Sequence, residues 1–387
     1  METLRPPPLR TDPSNAFAHY SMKVRVPKIL DDVRDQNADY PSAVRDAVAR
    51  LRDDIRDDAP LPPLGFPAPD AHEWADLGAR SWLRTEWFLA ENYVYRSLMA
   101  AVRYWERGRD PFAPIKRREL ASEALWQGVE AVVGHAAEGA ALVHALLDLS
   151  LWGNRVDLSY AVGTAFGRAG QSHDLLCDDR GRAVAELLQQ GGDVHLVADN
   201  TGSELSMDLA LADVLMTVAG ARVSLHVKMH PVFVSDATVA DVWNLVFAMR
   251  DRGDPCRALA TRLERAFEAG QLRVLPDFFW NGPHFLWERP ARIACELDRA
   301  TMVIFKGDAN YRRVIGDALW PPDTSLGAST GYFPAPLLLV RTMKSDAVVG
   351  LPAGLAEHLD TVDREWRLNA RRGVIQRGGR DTSMPPP

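Results

Sequence analysis

Apolar positions recur at helical spacing through the first part of the chain, in the stretches Ser42 to Asp57, Ala71 to Glu106 and Glu119 to Leu149. This periodicity predicts helices that each bury one face. The run Pro60-Leu61-Pro62-Pro63 through Pro69, and Gly108-Arg109-Asp110-Pro111-Phe112-Ala113-Pro114, interrupt the pattern and predict loops, because proline lacks the amide hydrogen a helix needs. From about Asp193 the period changes. Short β-rich runs (Val194 to Ala198, Arg222 to Val227, Leu272 to Leu275, Thr301 to Phe305 and Leu337 to Arg341) alternate with helical stretches near Glu204 to Val218, Val239 to Arg250, Cys256 to Ala269 and Pro290 to Asp298. That alternation is the signature of a mostly parallel sheet with crossover helices. The expected organisation is a helical lobe over 1–149, an α/β lobe over 150–372 and a disordered tail over 373–387, where Gly, Arg and Pro dominate.

Composition narrows the function classes. The 387 residues are 47% hydrophobic and 25% charged, which supports a large folded core. The net charge of −7 is spread among interspersed acids and bases, so no broad basic surface for nucleic acid is predicted. Cys177, Cys256 and Cys295 are scattered without a Cys-x-x-Cys pair, which favours a reducing compartment. The start Met1-Glu2-Thr3-Leu4-Arg5 runs into prolines rather than an apolar leader, and no segment approaches the ~20 apolar residues of a membrane span. A cytoplasmic protein with no nucleic-acid, membrane or obligate protein partner is expected.

In an open parallel sheet, ligands bind beyond the carboxyl ends of the strands. There the polar residues concentrate: Asp199-Asn200-Thr201-Gly202-Ser203-Glu204 after the first predicted strand, Lys228 and then Phe233-Val234-Ser235-Asp236 after the second, Lys306-Gly307-Asp308-Ala309-Asn310 after the fourth, and Arg341-Thr342-Met343-Lys344 after the last. Asp199, Asn200 and Asp236 offer two carboxylates and an amide carbonyl. These hard oxygen donors suit a six-coordinate divalent ion that keeps waters. Asp and Asn also cap helices and make turns, so the pair alone is a weak signal. Asp308 is suited to handling a proton and Asn310 to hydrogen-bonding an oxyanion, with a helix cap as the structural alternative for Asp308. Lys344 would meet a phosphate as a point charge, and Arg341 would brace neighbouring carboxylates.

Familiar motifs are missing. There is no phosphate-binding Walker loop and no His-Glu-x-x-His helix. His226 and His230 fall on a strand and a Pro-containing loop rather than one helical face, and Trp74, Trp82, Trp87 and Trp105 read as core.

Taken together, the four strand-end motifs, with Trp87-Phe88-Leu89-Ala90-Glu91-Asn92-Tyr93-Val94-Tyr95-Arg96 and Ser150-Leu151-Trp152-Gly153-Asn154-Arg155-Val156-Asp157-Leu158-Ser159, resemble the damage-control phosphatase family, formerly a domain of unknown function numbered 89. The Arg-Thr-x-Lys element resembles its third subfamily, which includes proteins also described as acidic-residue carboxyl methyltransferases. Asn92, Thr201 and Ser203 depart from the family pattern without removing a metal ligand. The resemblance implies a helical lobe packed on a Rossmann-like α/β lobe, and a metal on Asp199, Asn200 and Asp236. Mn²⁺ is expected first, with Mg²⁺, Co²⁺ or Ni²⁺ as alternatives. It further implies Asp308, Asn310 and Lys344 beside the substrate phosphate, with Glu204, Lys228, Arg96, Asn154, Asp157 and Glu91 around them.

The implied activity is hydrolysis of a small phosphate ester, a sugar phosphate such as a fructose phosphate or a damaged phosphometabolite. Asp308 is the expected proton-handling group, with Asp236 able to share that role. The metal, Lys344 and the amino end of the helix after Gly202 would supply the positive field. Two alternatives stay open. An S-adenosylmethionine-dependent carboxyl methyltransferase would want more glycine after its first strand than Gly202 alone. A non-catalytic sugar-phosphate binder would need no turnover.

Overall fold

The computed structural model describes residues 5–74, 77–135, 138–153 and 174–380. Seven strands lie among them: β1 (Leu175–Asp178), β2 (Asp193–Val197), β3 (Arg222–Lys228), β4 (Leu272–Asp277), β5 (Met302–Lys306), β6 (Pro336–Thr342) and β7 (Gly373–Gly379). They form one sheet in the order β1-β7-β6-β5-β2-β3-β4. Neighbours are parallel except β6 and β7, which run antiparallel. The five runs expected from the pattern, β2 to β6, all form within one or two residues of their expected limits. β2, β5 and β6 are apolar on both faces because helices cover both, as a parallel sheet requires.

One face packs on helices Glu123–Val133, Gly139–Trp152, Arg180–Gln190, Ser203–Val218 and Asp254–Glu268. The other packs on helices Ala291–Leu297, Gly307–Ile315 and Leu355–Val362. A third cluster is the core of the amino-terminal lobe, from Leu9 to Phe112, and it takes in Val232 from the loop after β3. Helices Glu123–Val133 and Gly139–Trp152 therefore belong to the α/β core, although the expected lobe boundary put them in the helical lobe. Their apolar faces, Trp126, Val129, Leu146 and Leu147 among them, are buried against helix Ser203–Val218 and its neighbours. The long helix expected over Ala71 to Glu106 is also broken up. It becomes a 3₁₀ turn Ala71–Glu73, helix Trp87–Ala101 and a short helix Tyr104–Arg107, with the left-handed Arg103 between the last two.

The largest correction concerns the carboxyl-terminal segment. Residues 373–379 are not a disordered tail but strand β7, interior to the sheet between β1 and β6. Its glycines reflect close packing. A Cβ at Gly373 would lie 2.9 Å from the Trp152 ring, and one at Gly378 would lie 2.9 Å from Leu326 Cδ2. Val374 and Ile375 are fully buried, and Gln376 Nε2 donates to Val349 O at 2.7 Å.

The chain visits β2, β3 and β4 on one side of β2 and then returns to β5 and β6 on the other. Loops leaving β2 and β5 thus diverge in opposite directions, which opens a crevice at their carboxyl ends. Because β7 closes the sheet beside β6, Ile375→Ala is expected to cost about 2–5 kcal/mol in urea unfolding. A chain ending at Arg372 should give no soluble, cooperatively unfolding protein; solubility and unfolding of such a truncation equal to the full chain's would show β7 to be dispensable.

Candidate active site at the strand switch point

Asp199 and Asn200 leave the end of β2, where the main chain is pinned to the loop after β3. Ala237 N donates to Asp199 O at 2.8 Å, Thr201 N donates to Ser235 O at 2.8 Å, and Asn200 and Asp236 form a β-bridge. The segment just before Asp236 is strained: Phe233 and Val234 have φ of 47° and 71°. A β-branched residue rarely accepts that conformation, so surrounding structure must enforce it. Val232 buried in the helical lobe and the Phe233 ring 5.1 Å from that of Tyr95 supply the enforcement.

Asp199, Asn200, Asp236 and Glu204 are all at least nine-tenths buried. Asn200 Nδ2 donates to Asp199 Oδ2 at 2.6 Å and to Glu204 Oε2 at 3.1 Å, while its Oδ1 accepts from Ser235 Oγ at 2.5 Å. Asp236 faces Lys228 Nζ at 3.3 Å, outside hydrogen-bond geometry, so its buried Oδ2 has no hydrogen-bond donor. Burial pushes the Asp236 carboxyl up to about 6 against the pull of Lys228. Asp199 is raised well above its usual value, first by burial and then by the negative charges of Asp236 and Glu204. Gly307 is required here, because a Cβ on it would lie 2.0 Å from Asp199 Oδ2.

This cluster suits a hard divalent cation. It presents crowded carboxylates that repel one another, a buried carboxylate oxygen without a hydrogen-bond donor and an adjacent amide. Among the described residues no three His, Cys, Asp or Glu side chains form a metal-holding group. A cation here would therefore draw on Asp199, Asp236, the Asn200 amide oxygen and water.

Asp308 follows β5. Its Oδ1 accepts from Arg341 Nε at 2.8 Å, Ser345 Oγ at 3.0 Å and Lys344 N at 3.3 Å. Burial raises its pKa, but the Arg341 and Arg312 guanidiniums and the Ser345 hydroxyl outweigh it and hold the carboxyl below its usual value. Asp308 is thus a carboxylate at neutral pH, and Arg341 is its brace as the sequence suggested. Asp199, Asn200, Asp308 and Lys344 line one cavity of about 210 Å³. The helical lobe supplies its opposite wall through Phe17, Ser21, Arg25, Trp87, Glu91 and Tyr95. Arg312 ties the lobes together, donating to Glu91 Oε2 at 2.7 Å, chelating Asp317 at 2.7 and 3.0 Å and lying 3.8 Å over the Trp87 ring.

Several expected contacts resolve differently. Asn310 Nδ2 donates to Ala198 O and Lys306 O, so its amide staples β2 to β5 and does not line the cavity. Lys228 is nearly fully buried with Asp236 and donates to Trp280 O at 2.9 Å, placing it behind the cavity. Glu204 is held by Lys306 Nζ at 2.8 Å and reaches the site through Asn200. Arg96 is turned away from the cavity: it pairs with Asp70 at 2.6 Å and donates to the carbonyls of Gly65 and Pro67, anchoring the proline-rich loop. Asn154 and Asp157 lie outside the described residues. The amino end of helix Ser203–Val218 is occupied by Glu119, whose Oε1 accepts from Ser203 N at 3.0 Å, so that end already faces a carboxylate. Arg25, Tyr95 and Ser235 went unread as site residues, since nothing in their local sequence departs from an ordinary helix or loop. His226 and His230 are buried and structural, His226 sharing a 2.8 Å hydrogen bond with His195.

A family model for the damage-control phosphatase ARMT1-like domain matches residues 21–359. The chain is similar to damage-control phosphatase ARMT1 of Danio rerio, with 28% identity over 96% of this chain and 97% of that protein. It is also similar to the Mus musculus protein of that name, with 28% identity over 94% and 96%, and to the Homo sapiens one, with 25% over 94% and 96%. The crystal structure of a DUF89 family protein from Pyrococcus horikoshii has the same fold, with a TM-score of 0.52 and 15% identity, covering 94% of this chain and 98% of that one. With the family model matching most of the chain, from the helical lobe through strand β6, this chain belongs to the ARMT1-like damage-control phosphatase domain family.

Proposed function

We propose that the protein is a divalent-metal-dependent phosphatase of small phosphorylated metabolites, sugar phosphates foremost, with Asp199, Asn200 and Asp236 as metal ligands and Mn²⁺ as the preferred ion. The observation that carries this reading is the buried Asp199 carboxylate, which has no ion-pair partner among the described residues, is pushed up by burial and by Asp236 and Glu204, and lines the same cavity as Lys344. Membership of a phosphatase family supports it, and the name carried by the vertebrate relatives agrees. Among the described residues no helix is long and apolar enough to cross a membrane. The thiols of Cys177, Cys256 and Cys295 are free, which fits a cytoplasmic setting.

When bound, a divalent cation would neutralise phosphoryl oxygens as a Lewis acid. Lys344, exposed to the cavity and free of ion pairs among the described residues, adds a point charge for the same phosphoryl group. Asp308, kept ionised by Arg341, accepts a proton from the attacking water. A new phosphorus–oxygen bond forms to that water, and the ester bond breaks with its electron pair leaving on the alcohol oxygen, which takes up the proton that Asp308 accepted. Trp87, Tyr95 and Phe233 wall the cavity against bulk water. Asn310, Lys306 and Glu204 position the loops that carry the ligands.

Phosphate release from a hexose phosphate should vanish on chelation and return, to different extents, with Mn²⁺, Co²⁺, Ni²⁺ or Mg²⁺. Asp199→Ala and Asp236→Ala should resist that rescue; undiminished turnover in the chelated enzyme would remove the metal from the mechanism. Lys344→Met should lose on the order of a hundredfold in kcat/KM on every substrate with little change in Tm, since the side chain is exposed. Kinetics equal to wild type would withdraw the phosphoryl contact. Asp308→Asn should keep metal affinity by calorimetry, lose about 10²–10⁴ in kcat, and melt lower because buried Arg341 loses its counter-charge. A collapse of metal binding in that variant would make Asp308 a ligand instead.

A further inference from the structure

The cavity is lined by three cations, of which one is taken up by structural ion pairs and one by the phosphoryl group. Arg312 is saturated by Glu91 and Asp317. Lys344 serves the phosphoryl end. Arg25, on the opposite wall, has no ion-pair partner among the described residues; its Nη1 donates to Ser21 Oγ at 3.3 Å, and its guanidinium lies 5.6 Å from the Phe17 ring centre.

The backbone that presents Arg25 is unusual. Residues Ser21–Arg25 form a π-helical turn between helices Ala16–Tyr20 and Val26–Gln36, with Val26 N donating to Ser21 O. Pro27 explains it, because it brings no amide hydrogen to the carbonyl one turn back and its ring crowds that carbonyl, so the turn widens. The widened turn brings Ser21 and Arg25 to the same cavity wall. Arg25, Tyr95 and the Asp199 carboxylate line the same cavity, so the arginine and that metal-site carboxylate face one space. A cavity of about 210 Å³ is below the ~300 Å³ at which drug-sized sites begin, so it admits a small metabolite that spans from one wall to the other.

The geometry points to Arg25 as a specificity-determining residue that binds a second anionic group on the substrate, remote from the phosphoryl group that is hydrolysed. This inference rests on the phosphatase reading for the first group and assigns the substrate class: a small polyol phosphate carrying a second phosphate or a carboxylate. A guanidinium fork suits either group through paired charge-assisted hydrogen bonds. Ser21 and Phe17 hold the fork in place by the contacts above.

The test compares three substrates on the metal-loaded full chain: a hexose monophosphate, a hexose bisphosphate and a phosphorylated sugar acid. Wild type should favour the two doubly anionic substrates in kcat/KM. Arg25→Met should cost them about ten- to a hundredfold more than it costs the monophosphate, mostly in KM, the range of one charge-assisted hydrogen bond. Arg25→Lys should recover part of the difference. An equal loss on all three substrates would overturn the inference and make Arg25 a contact of the transferred phosphoryl group. No loss on any would make it a surface arginine. In parallel, calorimetry with the hydrolysis-resistant phosphonate isosteres of the mono- and bisphosphate separates this inference from the reading it rests on. Tighter binding of the bisphosphonate that disappears in Arg25→Met, in a protein that hydrolyses no ester, would leave the second-anion site standing and the phosphatase reading fallen.

Discussion

Compensation of buried negative charge at the switch point governs the rest of the architecture. Asp199, Asp236, Glu204, Asp208 and Asp308 all sit at or behind the ends of β2, β3 and β5, and each would be costly to ionise there alone. Most have a dedicated cation: Lys228 for Asp236, Lys306 for Glu204 and Asp208, and Arg341 for Asp308. Asp199 has none among the described residues and receives only the Asn200 amide. The deficit of positive charge is thus concentrated on one carboxylate at the cavity wall, where an external cation gains most.

The same logic fixes where the surrounding groups go. Lys306 is fully buried, and carboxylates hold it charged. It can do so only because Glu204, Asp208 and the Ser150 carbonyl surround it, which in turn fixes the start of helix Ser203–Val218 and the Asn200 amide. Lys116 plays a comparable part behind the β3 loop, bridging Asp110 and Asp241 while donating to Asp236 O at 3.1 Å. Arg312 extends the network across the lobes to Glu91 and Trp87. The helical lobe is therefore a wall of the site and not an appendage. Its hold on Val232 imposes the strained backbone that delivers Asp236.

Much of this was written in the chain. Short β-rich runs alternating with helical stretches identified β2 to β6, because successive parallel strands need crossover connections between them. The polar residues beyond them stand at strand ends, where ligands bind in such sheets, and four of them, Asp199, Asn200, Asp308 and Lys344, border one cavity. Those signals are local, so sequence alone determined them. What escaped it was decided by contacts distant in sequence. β7 reads as a tail because its glycines are required by Trp152 and Leu326, which only the folded state brings there. Helix Gly139–Trp152 reads as part of the first lobe because amphipathicity marks a buried face without naming what covers it. Asn310, Lys228 and Arg96 carry the right chemistry for a phosphate, yet their side chains are spent on Ala198, Asp236 and Asp70, as Glu204 is on Lys306. Arg25 and Tyr95 reach the cavity only because the helical lobe folds over the sheet. Spacing along the chain sets which residues stand at a strand's end; the direction each side chain finally takes is set by the charges and volumes that packing puts beside it.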